Sequence, residues 1–122
     1  MKEGKVRTFS SGATRDNDEN KLDYEAFFSA IVMERYARYM HEHRKQSDGT
    51  RRPGDNWQLG IPRKQYLKSL WRHFMDVFLI MRGYARLAIA KNLDEALCGV
   101  LFNVNGLLHE VLIGRDAGKQ PE

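Results

Sequence analysis

Cysteine is nearly absent. Cys98 stands alone in a chain of 122 residues, so no disulfide can form within it and a reducing, cytosolic compartment is the expectation. In its apolar setting Cys98 reads as a small packing residue. Met1-Lys2-Glu3-Gly4 lacks the apolar core of a secretory signal. No apolar run approaches the length of a membrane span, so no membrane partner is expected. Enzyme signatures are missing too: there is no phosphate-binding glycine loop, dinucleotide fingerprint, nucleophile elbow, or zinc spacing such as CxxC or HExxH. No segment alternates apolar and polar residues long enough to predict a strand.

Charge is only mildly one-sided, at a formal +4. The cations gather at Arg44, Lys45, Arg51, Arg52, Arg63 and Lys64. No aromatic platform interleaves with them, so a nucleic-acid groove is not expected. The basic stretch between helices reads first as a solvated loop, with phosphate attraction as the alternative.

The residues that are present spell helices. Residues 1–22 are polar, without sustained period, and read as an irregular arm. A helical domain is expected over 23–114, followed by a disordered tail over 115–122. Asp23 caps a first helix whose stripe is Phe27, Phe28, Ile31, Val32, Tyr36, Tyr39 and Met40, ending near Arg44 or Lys45. Glu34 and Arg38 are spaced to pair on its surface. A long loop over 46–61 follows, with Trp57 as its anchor. The second helix spans Pro62 to Met81 and ends at Gly83. A short helical segment covers 84–90. The last helix starts at the cap Asn92 with Asp94 and Glu95 in its first turn, and stops at Gly114. The expected fold is all-α, three main helices in a bundle. So much apolar surface on three helices predicts a homo-oligomer, a dimer or higher.

One polar cluster interrupts the apolar second helix. Ser69, Arg72, His73 and Asp76 share a strip at three- and four-residue spacing. Burying a cation, an imidazole and a carboxylate there is expensive unless they pair or bind something. His73 and Asp76 are spaced to share a metal, or simply to hydrogen-bond each other. Glu34 and Glu95 are further carboxylates that could join them around Mg²⁺, an ion that prefers several oxygen ligands. Asn103 is a poor helix former in mid-helix, and Gly99 and Gly106 flank it, which lets a neighbouring backbone approach closely. His41, His43 and His109 are secondary candidates; His41 and His43, two apart, do not face the same way.

The segments SSGATRDNDENKLDY (10–24), DNWQLGIP (55–62), YLKSLWRHFMD (66–76) and DEALCGVLFNVNGLLHE (94–110) together resemble a phage-rich family described as dATP/dGTP diphosphohydrolase, N-terminal domain. That resemblance implies kinship with all-α, Mg²⁺-dependent nucleotide pyrophosphohydrolases of the MazG type, which assemble as dimers or tetramers and hold Mg²⁺ on an ExxE and an ExxD pair. Here His73 stands where the ExxD pair has its first acid, before Asp76. Ile31 and Ala37 stand three residues either side of Glu34, so the carboxylate set is incomplete.

What the resemblance implies is a nucleotide-handling protein, cytoplasmic and, if phage-encoded, in the host cytoplasm. It would release pyrophosphate from dATP or dGTP, with Asp76, Glu34 and His73 as catalytic and metal-holding residues. Arg72, Asn103, Arg63 and Lys64 would bind the ligand and its phosphates, and Trp57 or Tyr66 would stack on the base. The alternative is a non-catalytic phage accessory protein that sequesters a nucleotide signal or a host protein. A purely structural reading takes Arg72, His73, Asp76 and Asn103 as one buried network that fixes helix register.

Overall fold

The computed structural model describes residues 6–17 and 19–118. The chain divides into two units, residues 1–33 and 34–122. The boundary between the units falls inside a helix.

The first unit corrects the all-α expectation. Strands β1 (Val6–Thr8) and β2 (Thr14–Asp16) pair antiparallel, with Arg7 opposite Arg15. The turn between them is closed by Phe9 N–H on the Ala13 carbonyl (2.8 Å) and Gly12 N–H on the Phe9 carbonyl (2.9 Å). β-branched Val6, Thr8 and Thr14 around a Ser-Ser-Gly turn favour this hairpin. Strands of three residues are too short to display alternation, which is why they escape a periodicity reading.

The expected first helix is also interrupted. A short α1 (Tyr24–Phe27) is capped by Asp23, whose carboxylate accepts from Ala26 N–H at 3.1 Å. Phe28 is extended, and α2 (Ala30–Glu42) begins afresh at Ser29, whose hydroxyl accepts from Val32 N–H at 3.3 Å. Ser29 competes for the backbone and resets the helix.

The second unit is built on a hairpin of two long helices, α3 (Arg63–Met81) and α4 (Leu93–Leu112). They run antiparallel: Tyr66 meets Gly106 and Phe102, and His73 meets Gly99. Both glycines are notches. A Cβ on Gly99 would lie 2.2 Å from the His73 ring, and one on Gly106 would lie 2.3 Å from the Tyr66 ring. Side chains fill these notches, where the sequence suggested a backbone. Asn103 is buried between them and donates to the Gly99 carbonyl of its own helix at 2.7 Å. Asn92 accepts from Glu95 N–H (2.9 Å), and the Glu95 carboxylate accepts from Lys91 N–H (2.9 Å). This reciprocal pair satisfies donors at the start of α4. Between the two helices lies a single 3-10 turn, Ala85–Leu87.

α3 and α4 are the helices that pack along their length; α2 does not pack so on either, so a three-helix bundle is not formed. Nor is the end of the chain all tail. Gly114, at φ 71°, turns the backbone out of α4 and delivers Arg115 and Asp116 back to the fold. Asp116 accepts from Arg63 N–H at 3.1 Å and so caps α3, and Arg63 Nε donates to the Arg115 carbonyl at 3.0 Å. The remainder of the expected tail, 119–122, lies outside the described residues. Among the described residues no helix is long and apolar enough to cross a membrane.

Candidate functional site

The last turn of α2 begins the site. Tyr39 and His43 are four apart and therefore stack on one face. Their rings lie 4.0 Å apart, and His43 Nδ1 is 2.8 Å from the Tyr39 carbonyl. Tyr39 is buried, and burial pushes its phenol above the ordinary tyrosine value.

The basic loop that follows is ordered. Asp48 accepts from the Thr50 N–H (2.9 Å) and hydroxyl (2.6 Å), a short-range turn centred on Asp48-Gly49. Its stem is zipped by Gln46 N–H on the Thr50 carbonyl (2.8 Å) and Arg52 N–H on the Arg44 carbonyl (2.9 Å), with Arg44 Nε donating to the Arg52 carbonyl (2.8 Å). A 3-10 turn, Asn56–Leu59, then sets Trp57 edge-on to His109, ring centres 5.0 Å apart.

These elements and the α3–α4 hairpin enclose a cleft of about 280 Å³. Arg44, Arg52, His43 and His73 bring cationic or ionisable nitrogen to its lining. Tyr39, Trp57 and Phe102 bring aromatic surface, and Asn56 and Ser69 bring neutral polar groups. Among the described residues, no Asp or Glu lines it. Arg52 Nε is buried without a hydrogen-bond partner among the described residues. Buried donors are satisfied as a rule, so this donor on a cleft-lining residue is one that an acceptor would satisfy. Burial lowers the His73 pKa below its ordinary value; Asp76 opposes the shift, while Arg72 and His43 add to it. His73 lines the cleft.

Of the residues singled out from sequence, the cleft brings together His73, Trp57, Ser69, His43, Arg44 and Arg52. The others lie elsewhere. Asp76 is buried and accepts from the Ile89 N–H at 3.1 Å and the Ala90 N–H at 3.0 Å, one amide on each oxygen. It pins the segment before α4 to α3. Glu34 is exposed and pairs with Arg38, as the four-residue spacing suggests. Arg63 is engaged with Arg115, Asp116 and the Glu110 carbonyl. Tyr66, expected to stack on a base, is buried in the Gly106 notch with its hydroxyl unpartnered. Arg72 and Lys64 are exposed, and Asn103 is closed within the hairpin. Among the described residues, no three His, Cys, Asp or Glu side chains gather as a metal site.

Sequence reasoning passed over Tyr39 and Asn56 as site residues, and placed Arg44 and Arg52 in a basic loop read first as solvated, with phosphate attraction as the alternative. One signal was available: Asp48-Gly49 between flanking arginines marks a turn that brings Arg44 and Arg52 side by side. No protein-family model matches this chain, and comparisons with curated proteins and with solved structures find no match.

Proposed function

We propose that the chain is a nucleotide-binding protein and that the cleft beside Tyr39, Arg52 and Trp57 holds the ligand. The carrying observation is the orphaned donor of Arg52 in a cleft that has aromatic walls and no carboxylate. Guanidinium groups recognise phosphate through paired, charge-assisted hydrogen bonds. Aromatic rings offer a base a flat apolar surface. Carboxylates would repel phosphate, and their absence removes that penalty. A phosphate-bearing, planar small molecule satisfies all three features at once.

The Mg²⁺-dependent hydrolysis implied by the family resemblance finds less support in this geometry. Asp76, Glu34 and His73 do not gather as a metal site among the described residues. Each Asp76 oxygen accepts from a backbone amide, Glu34 is taken by Arg38, and His73 alone of the three reaches the cleft. Binding without turnover, the sequestering alternative, requires none of them.

Isothermal titration with dATP, dGTP, the matching nucleosides and inorganic phosphate, in EDTA and again with Mg²⁺, tests this reading. Nucleotides should bind in EDTA, and nucleosides more weakly. Arg52→Ala or Trp57→Ala should weaken nucleotide binding by about tenfold or more, roughly 1.4 kcal/mol. No nucleotide binding, or unchanged binding by folded Arg52→Ala, would remove the cleft from the reading. Pyrophosphate release in Mg²⁺ would return the hydrolase.

A further inference from the structure

The charge on the cleft lining is small and fixed. Among the described residues, Arg44 and Arg52 are the arginines that line it, and no lysine joins them. Arginine stays charged across the physiological pH range, unlike the histidines beside it. No described carboxylate on the lining offsets the two cations. Arg63, a phosphate candidate by sequence, is engaged with Arg115 and Asp116 and does not line the cleft.

The loop stem holds the two arginines as a pair. Arg52 N–H donates to the Arg44 carbonyl at 2.9 Å, and Arg44 Nε donates to the Arg52 carbonyl at 2.8 Å. Arg44 is thus anchored through its Nε, which leaves its terminal nitrogens for an incoming group. Arg52 contributes its unpartnered Nε. A terminal phosphate has three strong acceptor oxygens, enough for both side chains. Its charge near pH 7 is about −1.5 to −2, which two arginines match. The further phosphates of a triphosphate would meet no cation on the described lining. Drawing them out of water without a partner is unfavourable. The volume of about 280 Å³ agrees. It falls just under the roughly 300–1,000 Å³ of most small-molecule sites, which favours a compact ligand.

We propose that the cleft selects nucleotides with a single terminal phosphate, taking a nucleoside monophosphate in preference to the triphosphate. The selection rests on the reading of the cleft as a nucleotide site and adds the ligand's phosphate count to it. Arg44 and Arg52 grip the one phosphate, and the aromatic walls at Tyr39, Trp57 and Phe102 receive the base. Monophosphate and triphosphate share the base and the sugar, so the difference between them lies in charge alone and falls on the two arginines.

Isothermal titration of the full chain with dAMP, dGMP, dATP and dGTP, in EDTA and again with Mg²⁺, tests the selection. Each monophosphate should bind about tenfold or more tightly than its triphosphate in both buffers. Arg44→Gln should weaken dAMP binding by about tenfold or more. Triphosphates that bind as tightly as monophosphates, in either buffer, would overturn the selection and leave the nucleotide site standing. Binding of none of the four would overturn both. Unchanged dAMP affinity in folded Arg44→Gln would also overturn it, because one arginine would then suffice. If that variant does not fold, the comparison of the four ligands on the unaltered chain still decides.

Discussion

Arg115 grips Glu110 with a fork: its Nε lies 2.7 Å from one carboxylate oxygen and its terminal nitrogen 2.8 Å from the other. The Glu110 side chain is fully buried, and its Oε1 also accepts from Ile61 N–H at 3.3 Å. The same Arg115 donates to the Gln58 carbonyl at 3.0 Å. One ion pair thus fastens the end of α4 to the turn that carries Trp57 into the cleft.

Breaking one side of that pair should hurt more than replacing both. Arg115→Met leaves a carboxylate buried without its counter-ion, and should lower the urea midpoint clearly. Glu110→Gln combined with Arg115→Met keeps an acceptor for Ile61 and should recover part of the loss. The Arg115 hydrogen bonds hold the Glu110 carboxyl below its ordinary value of 4.5. A carboxylate depressed on folding contributes stability that is present above its unfolded pKa and lost as pH falls through the folded one. Acid unfolding of the native chain below pH 4.5 should therefore be steeper than that of the double variant. Urea titrations across that range measure both effects.

Asp76 is expected to behave as a backbone clamp. Asp76→Ala strands the Ile89 and Ala90 amides and should cost about 2–3 kcal/mol. Asp76→Asn, which keeps one acceptor, should cost less. Both losses should be the same in Mg²⁺ and in EDTA, as read by denaturant unfolding. A loss that appears only with Mg²⁺ would make Asp76 a metal ligand.

Replacing a mid-helix glycine by alanine normally stabilises by about 1 kcal/mol. At Gly99 the sign should reverse, because the new methyl would meet the His73 ring. Gly99→Ala should destabilise by about 1–3 kcal/mol. In a His73→Ala background the obstruction is gone, and the same substitution should become favourable. A double-mutant cycle on Tm checks the change of sign.

His73 should leave a mark on stability against pH. Burial lowers its pKa from 6.5 in the folded chain. Below pH 6.5 the unfolded chain takes up a proton that the folded chain does not, so stability falls as pH falls through that window. His73→Gln should show a shallower slope there than the native chain, measured by urea midpoints from about pH 7.5 to about pH 5.5.

Much of the architecture was legible from residue order. The caps Asp23 and Asn92, the glycine stops at 83 and 114, and the apolar periods of α3 and α4 are local features, governed by interactions within a turn or two. The Glu34–Arg38 pair is local for the same reason. The N-terminal hairpin and the restart of α2 at Ser29 were hidden: three-residue strands carry no period, and a serine inside an apolar stripe looks like an ordinary helix residue. The polar strip on α3 was visible too, but not its division of labour. Sequence spacing puts His73 and Asp76 on one strip; which neighbour each meets depends on the loop before α4 and on a notch in a helix about twenty-five residues away.

Sequence alone determined that this chain is mostly helical, that α3 and α4 are amphipathic, and that a basic loop precedes a tryptophan. Those properties follow from backbone propensity and side-chain period, which act over a few residues. Tertiary structure alone decided that Arg52 and Trp57 line one cleft, that Asp76 holds amides, and that Glu110 is buried under Arg115. Each of those depends on the path of the connecting segments and on the close approach that Gly99 and Gly106 permit between α3 and α4. Contacts across such distances in the chain are set by packing, which no local pattern encodes.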